Sequence, residues 1–104
     1  MEVLKYSIKQ NEKMSLLEFE LQRNLAPDDL KNIKLPDPVK EGFSHKLLIL
    51  SGRGPIWLYA FMVHYFHPVR AIAIFDPRLD GAVVVESHSN EFNVGKVLKY
   101  ENII

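Results

Sequence analysis

The chain is 104 residues long, 47% hydrophobic and 25% charged, a balance that argues against disorder and predicts one domain spanning 1–104. Lysine plus arginine and aspartate plus glutamate number 13 each, so the chain has no basic excess for coating long nucleic acid; its charge points to a confined site for a short ligand. It has no cysteine, which excludes disulfides and thiolate metal centres, and no apolar run approaches the roughly 18 residues of a membrane span.

The opening stretch MEVLKYSIKQ lacks a signal-peptide core, so the expected location is the cytoplasm. Within it, Leu4, Tyr6 and Ile8 alternate with Lys5, Ser7 and Lys9, which predicts a half-buried strand over 3–9. A second alternation over 15–21 places Leu17, Phe19 and Leu21 on one face and Glu18 and Glu20 on the other. The polar stretch Gln10-Asn11-Glu12-Lys13 fits the hairpin connection between them.

Ala26-Pro27-Asp28-Asp29 predicts a helix start, because proline and acids suit the free amides of a helix N-terminus. That helix can run only about two turns before the breaker Leu35-Pro36-Asp37-Pro38. The chain then reads as loop through Gly42.

Leu47-Leu48-Ile49-Leu50 is a continuous apolar run, as expected of a strand covered on both faces. After Ser51-Gly52-Arg53-Gly54, Pro55 opens a helix to about Phe66. Its Ile56, Trp57, Leu58, Phe61, Met62, Val63 and Phe66 cover nearly every side, which predicts packing on the sheet and on a partner subunit. A domain this small buries only about two-thirds of its unfolded surface, so burial between subunits adds useful stability. His67-Pro68 ends the helix and Val69 to Phe75 is a further buried strand, giving a βαβ unit with parallel strands. Asp76 to Gly81 is a turn, Ala82 to Glu86 a returning strand, and Val94 to Tyr100 an edge strand. The expected fold is α/β: a single small Rossmann-like domain with a mixed sheet, one central βαβ unit and an N-terminal hairpin.

Ligands of open α/β sheets bind at the carboxyl ends of parallel strands. Two segments arrive there together. Ser51-Gly52-Arg53-Gly54 leads from strand to helix N-terminus, where glycines admit close approach and free amides attract phosphate. Ser51 offers a hydroxyl, and Arg53 a guanidinium for phosphate or base. The plainer reading of this loop is tight turning alone. Asp76 and Arg78 flank Pro77 at the same edge, either as metal ligand or base with a charge stabiliser, or as two side chains that neutralise each other. The histidines fall at the opposite edge: His64 and His67 one helical turn apart, and His88 after the returning strand. Three imidazoles gathered there would ligate a metal or move protons, although histidine at a helix C-terminus is also favoured by the dipole. His45 is a loop residue without an evident partner.

The segments LSGRGPIWLYA, AIAIFDPRLDGAVVV and ESHSNEFNVGKVL, in this order over about 46–99, resemble the CRISPR-associated Csx-three proteins, the third ring-nuclease family, which is similar to the CARF (CRISPR-associated Rossmann fold) sensors. The resemblance implies a CARF-like homodimer that binds cyclic tetra-adenylate and cleaves it to linear oligoadenylate with manganese. It also implies a ligand loop of Ser51, Gly52, Arg53 and Gly54, with His67, Asp76 and Arg78 catalytic, His88 a further candidate, and Asp76, His67 and His88 as metal ligands. Asp80 departs from the small residue, lysine or asparagine expected in relatives. Such relatives are also described as deadenylases, so two alternatives stand beside the ring nuclease: a non-catalytic sensor of the ring, and a manganese-dependent 3′-exoribonuclease or RNA-binding protein acting on short oligoadenylate. Membranes and DNA are not expected partners. Because Asp76 and His67 fall at opposite sheet edges, head-to-tail stacking of dimers into tetramers or filaments is expected to bring them together.

Overall fold

The computed structural model describes residues 2–104. The N-terminal alternations form β1 (Leu4–Gln10) and β2 (Met14–Leu21), an antiparallel hairpin in which Leu4 faces Leu21 and Gln10 faces Ser15. Asn11 closes its turn, accepting on Oδ1 from the amides of Lys13 and Met14 at 3.0 and 2.9 Å. The Pro-Asp-Asp segment is helical, but as a 3-10 helix over Pro27–Asn32; six residues make two turns of that tighter form.

The apolar run becomes β3 (Leu47–Gly52), followed by α1 (Ile56–Tyr65), β4 (Ala71–Asp76), β5 (Gly81–Ser87) and a short β6 (Val97–Lys99). All six strands form one sheet in chain order, β1-β2-β3-β4-β5-β6. The pairs β2–β3 and β3–β4 are parallel and the others antiparallel, so the sheet is mixed, as expected for a small Rossmann-like α/β fold. The βαβ unit over β3, α1 and β4 is the predicted one. A second parallel crossover, from β2 to β3, was not evident in the sequence because its connection carries only the 3-10 helix and loop.

Two crossovers of one hand, stepping the same way across the sheet, fall on the same face. Accordingly Phe43, Leu58, Met62 and Phe66 pack with Leu17, Phe19, Leu48, Leu50 and Ile72 in one core. The other face is closed by Phe92, from the loop between β5 and β6, over Leu47, Ile49, Ala71, Ala73, Ala82 and Val84. With cover on both sides, Leu47 to Leu50 are wholly buried, which is why that run shows no alternation.

Within one chain the sheet covers only one side of the helix. Leu58 and Met62 are fully buried, but Ile56 is 87% exposed. Beside it, strand register sets Ile74, Val83 and Val97 in a row on the α1 face of the sheet, with Val97 41% exposed. Among the described residues, no helix is long and apolar enough to cross a membrane.

Candidate functional site

The site at the carboxyl edge of the parallel strands is built by where β3 and β4 stop. Leu50 pairs with Ile74, so two residues further on Gly52 and Asp76 reach the same level of the sheet on neighbouring strands. The predicted Ser51–Gly54 loop and the Asp76–Arg78 turn are therefore adjacent. The loop leads into the N-terminus of α1, capped by Pro55 in an extended conformation (ψ 154°) and by no side chain. The first amides of α1 thus open towards this edge, where they favour an anion.

The loop's glycines have packing reasons. A Cβ on Gly52 would stand 2.6 Å from the carbonyl oxygen of Phe19 and 2.7 Å from its ring, and one on Gly54 would stand 2.8 Å from the Leu58 side chain. Close approach of the backbone to Phe19 and Leu58, as well as to any ligand, requires glycine here. Tyr59, which the sequence did not single out, holds the loop from below: its hydroxyl donates to the Gly52 carbonyl, and its ring meets Phe19 edge-on at 5.4 Å. Burial pushes the Tyr59 phenol up from its ordinary range, so it stays a protonated donor. Its place one turn into the helix after a glycine loop was the signal available. Ser51 lies on the other side of the strand from Gly52 and is level with Glu18 of β2, so it does not share a face with Asp76. Arg53 is exposed and pairs with no carboxylate among the described residues.

Asp76 and Arg78 form the self-neutralising turn. Asp76 Oδ1 accepts from the Arg78 amide at 2.9 Å and Oδ2 from Arg78 Nη2 at 3.1 Å. The Arg78 guanidinium and amide hold the Asp76 carboxyl below the usual carboxylate range. The turn closes with Leu79 and Asp80 amides donating to the Asp76 and Pro77 carbonyls. Asp80 carries the left-handed backbone of this turn, with φ 50°, where aspartate and asparagine are the tolerated residues besides glycine. Its departure from the expected residue thus has a conformational reason.

At the opposite edge the three histidines do gather. His64 and His67 stack with ring centroids 5.9 Å apart, and His88 Nε2 lies 3.0 Å from the His67 carbonyl. His67 Nδ1 is 3.0 Å from the His64 carbonyl. The missed residue here is Glu86. Its Oε1 is buried without a hydrogen bond and lies 3.8 Å from His88 Nε2. Two residues apart on a strand put both side chains on one face, a signal present in the sequence as Glu-Ser-His. His45 stays apart, exposed in the loop before β3.

The expected ligands Asp76, His67 and His88 are not brought together in one chain. Asp76 ends β4 and His67 precedes it, and at about 3.3 Å per residue that strand separates them by roughly 17 Å. Among the described residues, no three histidine, aspartate or glutamate side chains converge as a metal site. Asp76, His67 and His88 therefore do not make a metal site within one chain.

A family model described as CRISPR-associated protein (Cas_csx3) matches residues 18–99, from β2 through β6, and so covers both edges. An uncharacterized protein of Aquifex aeolicus (strain VF5) is 54% identical over 101 residues, which cover 96% of this chain and 91% of the relative.

Proposed function

The chain belongs to the CRISPR-associated Cas_csx3 family, and on that premise we propose that it binds cyclic tetra-adenylate at the Ser51–Gly54 edge and cleaves the ring to linear oligoadenylate. The observation that carries this reading is the juxtaposition of the glycine loop, the α1 N-terminus and the Asp76–Arg78 turn on adjacent strand ends. Free amides and the unpaired Arg53 attract phosphate, while Arg78 supplies a second guanidinium beside a carboxylate. A cyclic ligand of repeated nucleotides also suits a two-fold homodimer, each subunit holding one equivalent phosphate. The exposed Ile56 and Val97 support that dimer, because burying them against a second copy would remove apolar surface from water.

Complete chemistry needs two chains, since Asp76 and His67 lie at opposite edges. In this reading the His67–His88 edge of one subunit meets the Asp76 edge of another, in stacked dimers. A metal ligand set of Asp76, His67 and His88 belongs to that junction. The deciding experiment incubates wild type and Asp76→Ala with cyclic tetra-adenylate, with and without manganese, and separates the products. Linear dinucleotide that needs manganese and is lost in the variant supports the reading. A cyclic 2′,3′-phosphate end with a free 5′-hydroxyl identifies the ribose hydroxyl as nucleophile; a 5′-phosphate with a free 3′-hydroxyl identifies water. Faster attack on linear oligoadenylate than on the ring would make the protein an exoribonuclease.

One observation favours a second reading, a sensor that binds the ring without cutting it. Both Asp76 oxygens are occupied by Arg78, and no single chain assembles a metal site among the described residues. Tight binding with an intact ring under all metal conditions would select it.

A further inference from the structure

We propose that Glu86 is a positioning residue of the histidine edge: together with two backbone carbonyls it fixes the imidazoles so that His67 presents Nε2 and His88 presents Nδ1 as the free ring nitrogens. The inference rests on the cleavage reading above and adds to it which atoms of that edge are open to substrate.

A β-bulge sets Glu86 in place. The strands β4 and β5 pair regularly from Asp76 opposite Gly81 to Ala73 opposite Val84; the register then slips by one, and Ile72 faces Glu86 instead of Val85. Val84 and Ala73 pack with Phe92 on one side of the sheet, whereas Ile72 belongs to the core on the α1 side. Residues opposite one another in an antiparallel pair share a face, so the extra residue brings Glu86 to the α1 side, where an unbroken ladder would set Val85. His88, two residues on, follows it to that side. The ladder also carries His88 to the end of α1, because its amide donates to the carbonyl of Arg70, in the turn that leaves the helix, at 2.9 Å. Bulge and helix end thus bring Glu86, His88 and His67 together.

Each imidazole has one nitrogen tied to a carbonyl. His67 Nδ1 lies 3.0 Å from the His64 carbonyl oxygen, and His88 Nε2 lies 3.0 Å from the His67 carbonyl oxygen. A carbonyl oxygen only accepts, so these two nitrogens carry the hydrogens and the lone pairs fall to His67 Nε2 and His88 Nδ1. Both side chains are exposed, so a substrate can reach them. Glu86 Oε1 is shielded from solvent, makes no hydrogen bond and stands 3.8 Å from that same His88 Nε2. The distance is too long for a hydrogen bond, yet a carboxylate oxygen there favours the hydrogen on Nε2 over Nδ1. The nearby cation does not compete for it, since Arg70 donates to Ser89 Oγ at 3.1 Å and to Glu91 Oε1 at 3.3 Å. A carboxylate oxygen buried without a hydrogen bond weighs against stability, which argues for a role beyond the fold. So held, the pair offers two acceptors and no free ring donor, and this edge takes up a proton or a cation.

The test uses the whole chain, isotopically labelled at the histidine nitrogens and without ligand. At mildly alkaline pH, long-range proton–nitrogen NMR spectra are expected to show His67 in its Nδ1–H form and His88 in its Nε2–H form, the latter hydrogen exchanging slowly enough to give its own signal. Glu86→Ala is expected to lose that signal and to lower kcat for cleavage of cyclic tetra-adenylate roughly 10- to 100-fold with KM unchanged, the size usual for groups that orient an active histidine. Glu86→Gln, which keeps an oxygen in the same place, restores both. Oε1 has no hydrogen bond to lose, so Glu86→Ala unfolds no earlier than wild type, and lost stability does not account for the lost turnover. Either imidazole in the other form, or a Glu86→Ala variant that keeps the His88 signal or the wild-type kcat, overturns the proposal. If wild type leaves cyclic tetra-adenylate intact, the cleavage reading falls and the spectra alone decide whether Glu86 positions His88.

Discussion

The backbone at Gly52 lies so close to Phe19 that a methyl group there would stand 2.7 Å from the aromatic ring and 2.6 Å from the Phe19 carbonyl. Phe19 is itself nearly buried and held from the side by Tyr59, so neither neighbour can yield cheaply. Gly52→Ala is expected to lose about 1–3 kcal/mol of stability, as for overpacked sites generally. Gly54→Ala meets the end of the Leu58 side chain, which can rotate, and should lose less. Denaturant unfolding of the two variants checks the order. Equal losses would mean that the loop relaxes and that its glycines are not fixed by packing.

Asp76 gains its ionised form from Arg78. Its folded-state pKa is depressed, so the stabilisation is present above the ordinary value of 3.8 and disappears as pH falls through the lower folded value. Asp76 therefore remains a carboxylate throughout the neutral and mildly acidic range, and any activity loss between about pH 5 and 7 arises from another group. Arg78→Ala should raise the Asp76 midpoint towards its ordinary value in a carbon-detected NMR titration. A midpoint unchanged by that substitution would show that the guanidinium does not hold the carboxylate in solution.

The Arg23–Asp29 pair gives a sharper number. Asp29 accepts from Arg23 and from the Ala26 amide, and these hold its pKa at about 2. Its contribution is full above 3.8 and is lost as pH falls towards 2, so Asp29→Asn should flatten the acid end of the stability curve. Unfolding midpoints between pH 2 and 5, with and without the substitution, test this; a curve unchanged by Asp29→Asn would mean the pair does not stabilise the fold.

Alternation made β1 and β2 legible, and continuous apolar runs the central βαβ unit, because the former have one face in the core and the latter both. Leu47 to Leu50 announced a doubly covered strand, and the structure covers it on both sides. The parallel pairing of β2 with β3 was hidden, since a crossover without an apolar helix leaves no periodicity to read. Helix α1 is apolar on nearly every side, and the sheet buries only one of them, which leaves Ile56 largely exposed in the single chain. At the site, Ser51 to Gly54 and Asp76 were visible as residues following predicted strands. Tyr59 and Glu86 were not singled out, because their roles depend on which neighbours their side chains meet. Register decides those matters, and register between parallel strands is set by long-range packing that a local pattern does not contain.

The separation of Asp76 from His67 leads to the most demanding expectation. Six residues of β4 hold the two side chains roughly 17 Å apart, further than one phosphodiester can reach, and the strand is too well packed to bend. If both residues act on the same bond, they must come from different chains. Asp76→Ala keeps an intact histidine edge, and His67→Ala keeps an intact carboxylate edge. Each variant alone should be inactive while still folded, since both residues lie outside the core. Mixed in equal amounts and allowed to exchange, the two should recover about a quarter of wild-type turnover, because one junction in four then joins two intact edges. Recovery should grow with protein concentration, which the rate of ring cleavage measures directly. A mixture as inactive as its components, with wild type active, would mean that one edge alone carries the chemistry and that the other serves the fold.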